Sequence, residues 1–187
     1  ASKTSDIEFM YPWGWGELEG IANRGTFDLT SHERESGKDL TYFDPESNEK
    51  IHPVVIEPAG GLTRTLFAIL CSNYDEDTVN DTTRTLFRFN FEIAPIQIAI
   101  LPLSKKDNLI NISKEIKTKL QKSFRTEIDI TQSIGKRYRR QDEIGTPYCI
   151  TVDFETIDDD SVTIRNRDNM NQERVKINKL HDYFENI

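Results

Sequence analysis

The sequence predicts an α/β chain, α+β overall, built as two units, and three observations carry that prediction. Val54, Val55 and Ile56 form a β-branched run that leads through Glu57-Pro58 and Gly60-Gly61 into an amphipathic segment, a strand–turn–helix. The nearly unbroken apolar run 96–103 precedes Leu109, Ile112, Ile116, Leu120 and Phe124, spaced by three and four, and then a short strand. That is a βαβ unit within a mixed sheet. Charge is also divided. Residues 1–92 carry 8 Lys+Arg against 17 Asp+Glu, whereas residues 93–187 carry 16 against 15. Two units, 1–92 and 93–187, with different partners follow from that asymmetry.

In chain order, residues 1–10 read as a polar, mobile lead. Trp15 to Ile21 alternates as a strand, with Glu17 and Glu19 on one face and Leu18 on the other. A short helix is expected over 28–35, with Thr30 or Ser31 as N-cap. Segments 40–43 and 50–56 read as a hairpin about the turn 44–48. Pro58 ends the second strand after Glu57, and Thr63 or a neighbour opens a helix whose core face is Leu66, Phe67, Ile69 and Leu70. Residues 73–83 form an acidic connector, and a break at Ala94-Pro95 marks the boundary. Beyond it come a strand over 96–103, a helix over 105–124, a strand over 127–130 and a helix over 138–144. A hairpin 148–154/161–165 and a helix over 175–184 close the chain.

At 187 residues, 36% hydrophobic, 30% charged and with a net charge of −8, the chain is a soluble globular one. No run approaches a membrane span, and the start lacks a signal-peptide pattern. Cys71 and Cys149 form no CxxC pair, which predicts free thiols in a reducing cytoplasm. No membrane or DNA partner is expected. Neither a GxxxxGK[ST] loop nor a GxGxxG motif after a strand is present. His32, His52 and His181 have no partner at ligand spacing, so no metal site is assigned.

Chemistry concentrates in three places. Arg64 stands in the first turn of the predicted helix, where a cation opposes the dipole unless an anion docks there. With Glu57 before it, the stretch reads either as a phosphate site flanked by a carboxylate or as a solvated turn. Glu17 and Glu19 suit an ammonium group or a nucleotide-bound metal, or else an acidic edge. Lys136, Arg137, Arg139 and Arg140 surround Tyr138. That cluster fits an RNA surface, and it also fits a structural network with Asp142 and Glu143. Arg165, Arg167 and Arg174 admit the same two readings.

Taken together these motifs resemble a family. Trp15-Gly-Glu-Leu-Glu-Gly-Ile-Ala-Asn-Arg24 resembles the glycine- and ATP-pocket strand of the dimeric class II glycyl-tRNA synthetases. Glu57-Pro-Ala-Gly-Gly-Leu-Thr-Arg64 resembles their motif 3. The chain from Ile96, including 133–147, resembles a class IIa anticodon-binding domain. The resemblance covers nearly the whole chain. It implies a remnant of the class II antiparallel sheet with its motif 3 helix, followed by the anticodon-binding α/β domain. It further implies ATP binding by Glu17, Leu18, Gly61, Leu62, Thr63 and Arg64, with Mg²⁺ accompanying ATP. Glycine would bind along Glu57, Pro58, Ala59, Gly60 and Gly61, with Glu57 meeting the ammonium. Arg64 would be the catalytic phosphate contact, tRNA-Gly the partner, and a homodimer the assembly. Small pocket walls suit a substrate without a side chain.

Two departures qualify the likeness. Ala59 stands where the family usually has Ser, removing a hydroxyl. Nothing resembles class II motifs 1 and 2, which leaves a fragment of a full synthetase, a short paralogue and a split subunit as readings. The favoured expectation is the C-terminal portion of such an enzyme, inactive alone, and the alternative is a non-catalytic tRNA-binding relative.

Overall fold

The computed structural model describes every residue except residue 80, which falls in the predicted connector and lies outside the described residues. Contacts divide the chain into two compact units, Ala1–Ser72 and Asn73–Ile187. This division falls before the predicted 92/93 boundary, because the segment read as a connector is a hairpin that packs within the second unit.

The first unit opens with β1 (Lys3–Tyr11), where the sequence suggests mobility. It pairs antiparallel with β2 (Gly14–Gly25), from Lys3↔Asn23 to Tyr11↔Gly14. Backbone pairing overrides a polar composition here. Helix α1 (Phe27–Ser36) follows, flanked by Thr26 rather than capped by Thr30 or Ser31. The Thr30 hydroxyl lies inside the helix and donates back to the Thr26 carbonyl at 2.9 Å. A small hairpin joins β3 (Tyr42–Asp44) to β4 (Glu49–Ile51).

The run predicted as one strand over 50–56 is split at His52-Pro53. Its second part, β5 (Val55–Gly60), joins the other sheet, whose order is β1-β2-β5. Pro58 does not stop β5, because β5 is an edge strand where a missing N–H costs no ladder bond. Helix α2 (Leu62–Asn73) buries only Ala68; Leu66 and Phe67, predicted for its core face, are exposed.

The second unit begins with the antiparallel hairpin β6 (Tyr74–Val79) and β7 (Thr82–Phe87). Its main sheet comprises β8 (Ile98–Pro102), β9 (Thr126–Ile128), β10 (Tyr148–Val152), β11 (Ser161–Asn166) and β12 (Gln172–Lys176). The order is β12-β11-β10-β8-β9, with β8 parallel to β9 and β10 and the other pairs antiparallel. The mixed sheet and βαβ unit are as the sequence predicts. Helix α3 (Asp107–Leu120) connects β8 to β9, α4 (Ile134–Glu143) connects β9 to β10, and a single turn, α5 (Thr156–Asp159), precedes β11. Val175 belongs to β12, so the last predicted helix shrinks to a 3₁₀ turn and α6 (Leu180–Glu185).

Alternation along β8 explains the layering. Ile98 and Ile100 face a core with Leu109, Ile116 and Leu120 of α3 and Leu180 and Phe184 of α6. Ala99 and Leu101 face the other way, against Cys149, Ile134 and Tyr138 of α4. Both faces of the central strand are covered, which is why its sequence reads as continuously apolar. Among the described residues no helix is long and apolar enough to cross a membrane.

Candidate nucleotide and amino-acid site

The geometry of the first unit's sheet follows from two irregularities in β2. Ile7 pairs with Glu19 and Glu8 with Glu17, which leaves Leu18 as an extra residue in β2. Partners across a ladder share a face and consecutive residues do not. Glu17 and Glu19 therefore point to opposite faces, contrary to the simple alternation read from the sequence. Gly20 confirms this: a Cβ there would lie 3.3 Å from a Glu17 carboxylate oxygen and 3.6 Å from Asp6. A second shift, between Asn23 and Gly25, makes Arg24 the extra residue.

One face thus carries Glu17, Gly20 and Ala22 from β2, with Ala59 opposite Gly20 and Glu57 opposite Ala22. Two carboxylates, on the order of 15 Å apart along β2, flank a floor of small side chains. On the opposite face lie Phe9 and Tyr11. Tyr11 stacks with Trp13 and Phe67, at centroid distances of 5.0 and 5.9 Å.

The turn into α2 brings the predicted phosphate residues together. The Gly61 N–H donates to the Leu18 carbonyl at 3.4 Å. The Arg64 guanidinium donates to the Glu17 carbonyl, so it is tethered rather than free in solvent. Arg64 also lines a cavity of about 300 Å³ with Thr63, Tyr11, Trp13, Gly16 and Phe67. Leu62 is exposed. Glu57 meets Arg24, whose Nη1 lies 3.1 Å from a Glu57 carboxylate oxygen. Arg24 in turn grips Asp28 with Nε and Nη2, both at 2.8 Å. Sequence reading missed Arg24 and Asp28, because Arg24 looked like one more residue of a turn.

The basic cluster of α4 is largely engaged within the fold. Arg137 is buried and donates to the Pro102 and Asp129 carbonyls at 2.7 and 3.0 Å. Tyr138 is bonded to the Thr151 hydroxyl and lies under Arg165, 4.8 Å from its ring centroid. Arg139 donates to the Thr83 carbonyl at 2.9 Å, and Arg140 pairs with Asp129. Lys136 alone of the five is exposed and without a partner among the described residues. Arg165 and Arg167 are buried too, and Arg174 pairs with Asp153 and Asp159. Its hydrogen bond holds the Asp159 carboxyl down at about 2. His181 adjoins Asp182 and Glu185 on the exposed face of α6, an arrangement that surface acids form without an ion.

Comparison with known proteins gives these features a context. Residues 97–187 match the family model described as "Anticodon binding domain". The whole chain is 54% identical over 187 residues to the glycine–tRNA ligase of Ruminiclostridium cellulolyticum, covering 40% of that protein. It is 52% identical over 186 residues to that of Clostridium beijerinckii, covering 99% of this chain and 40% of the relative. Against the Lachnospira eligens ligase it is 52% identical over 183 residues, 97% of this chain and 39% of the relative. The chain therefore spans about 40% of the length of the relatives it matches. Identity of this order over its full length, together with the anticodon-binding match, means that the chain belongs to the glycine–tRNA ligase family.

Proposed function

We propose that this chain supplies the glycine- and ATP-facing strand–turn–helix of a glycine–tRNA ligase, together with its anticodon-binding domain. The observation that carries the reading is the face on which Glu17 and Glu57 flank Gly20, Ala22 and Ala59, with the Arg64 guanidinium tethered to the Glu17 backbone carbonyl from the side of the sheet that carries Tyr11. Glycine lies with its ammonium at Glu57, on a floor of Gly20, Ala22 and Ala59 whose small side chains let a small substrate approach the backbone closely. ATP lies toward Glu17, Leu18, Gly61 and Thr63, where Arg64 offsets charge on its phosphates. Mg²⁺ enters with ATP as part of that substrate. The reaction joins the glycine carboxylate to the α-phosphate with loss of pyrophosphate, then transfers the glycyl group to a terminal hydroxyl of tRNA-Gly with release of AMP. Positioning and charge stabilisation are the protein's contribution.

The exposed apolar residues of the first unit, Ile7, Ile56, Leu62 and Leu66 among them, fit a sheet completed by further parts of a ligase and its homodimeric partner. In the second unit, RNA contact rests on Lys136 and the outward edges of Arg139 and Arg140, while Arg137 and Tyr138 support the fold. The enzyme works in the cytoplasm with translation.

Glycine-dependent ATP–pyrophosphate exchange tests the reading. The isolated chain gives none, the full-length ligase gives exchange, and Glu57→Gln in the full-length ligase weakens glycine use. Normal exchange by the isolated chain, or normal glycine use by the variant, contradicts it.

A further inference from the structure

We infer that Arg24 is a positioning residue for the Glu57 carboxylate and so sets the affinity for the amino-acid ammonium group. The inference rests on the assignment of Glu57 above. Three independent features of the backbone and side chains converge on it. First, Arg24 is the extra residue of a bulge, a device that re-aims one side chain. Gly25 supports that bulge with φ of +61° and an N–H bonded to the Asn23 side chain at 2.9 Å.

Second, the guanidinium is held in a fork. Nε and Nη2 each lie 2.8 Å from a different oxygen of Asp28, in the first turn of α1. A two-point pairing fixes the plane of the group as well as its position. Third, the remaining Nη1 lies 3.1 Å from one Glu57 oxygen, and among the described residues no group donates a hydrogen bond to the other. Arg24 thus orients one half of the carboxylate and leaves the other for substrate.

Charge explains why a cation beside Glu57 does not repel the ammonium. Asp28 neutralises Arg24, so the row Asp28–Arg24–Glu57 carries one net negative charge. Its unpaired oxygen is where an incoming cation gains most.

The test uses the full-length ligase that contains this sequence, read by glycine-dependent ATP–pyrophosphate exchange. Arg24→Gln is expected to raise KM for glycine by about tenfold or more, since displacement on the order of 1 Å at a reacting group costs up to about a hundredfold. KM for ATP stays within about twofold. Asp28→Asn, which keeps Arg24 and the local shape, raises KM for glycine by a smaller factor in the same direction and carries the test if Arg24→Gln fails to fold. Arg24→Lys, which loses the fork, does not restore the wild-type value. An unchanged KM for glycine in Arg24→Gln and Asp28→Asn, or equal rises for glycine and ATP, overturns the inference. Glu57→Gln is measured alongside. If that variant leaves KM for glycine unchanged, the assignment of Glu57 fails instead.

Discussion

Arg165 donates two hydrogen bonds to Asp142, at 2.8 and 3.0 Å, with both side chains almost wholly buried. The same carboxylate also accepts from Arg84 of β7, at 3.2 Å. One acid on α4 thereby ties β11 and the β6–β7 hairpin to the same helix. Asp142→Ala leaves the buried Arg165 guanidinium without its anion and Arg84 with Asp77 alone, and is expected to cost the second unit about 3–5 kcal/mol, read from urea unfolding. Replacing the pair together, Asp142→Leu with Arg165→Met, costs less than Asp142→Ala. Equal or greater loss in the double variant contradicts the burial argument.

The hairpin also predicts an acid sensitivity. The Arg84 hydrogen bond holds Asp77 below the ordinary carboxylate range, and the Arg88 hydrogen bond does the same for Asp75. A depressed folded pKa stabilises above the unfolded value, about 3.9, and the contribution fades as pH falls through the lower folded value. Hydrogen exchange of β6 and β7 amides is therefore steady from pH 7 to about 5 once the intrinsic rate is removed. Protection then drops below about pH 4. Arg88→Met flattens that drop, and a variant with the wild-type profile contradicts it.

Two glycines of the α4 region separate close packing from open space. Gly145 has φ of +81°, and a Cβ there would lie 2.3 Å from Phe89 Cδ2. Gly145→Ala is expected to destabilise by about 2–4 kcal/mol through overpacking and strain. Gly135, inside the helix with nothing within 4 Å, is the contrast: Gly135→Ala should stabilise by about 0.4–1 kcal/mol. Thermal melts of the two variants should move in opposite directions.

The two thiols should differ in reactivity. Burial pushes the Cys149 thiol up to about 12, whereas Cys71 is only partly buried. At pH 8 a disulfide reagent modifies Cys71 in the folded chain, and both in denaturant. Because the unfolded thiol ionises near about 8.5, Cys149 makes the fold less stable as pH rises above that value. Equal labelling of the two in the native state contradicts the burial of Cys149.

Much of the second unit was legible because its signals are local. Ile98–Leu101 is apolar on both faces, and Leu109, Ile116 and Leu120 repeat with helical period. The first unit was less so. The Leu18 and Arg24 bulges shift the period by one residue, and no propensity marks them, so Glu17 and Glu19 were placed on one face. Pro58 read as a stop because a sequence does not say which strand is an edge. The basic cluster remained ambiguous for a different reason. The partners that bury it, Asp129 for Arg140, Pro102 for Arg137 and Thr151 for Tyr138, come together only through the tertiary fold.

The most direct test of the proposed site is the split between two substrates in the full-length ligase. In glycine-dependent ATP–pyrophosphate exchange, Glu57→Gln should raise KM chiefly for glycine. Arg64→Ala should raise KM for ATP or lower kcat by about a hundredfold, as loss of a charge-stabilising donor does elsewhere. Wild-type constants in both variants, or the same substrate affected by each, would contradict the placement of glycine at Glu57 and ATP at Arg64.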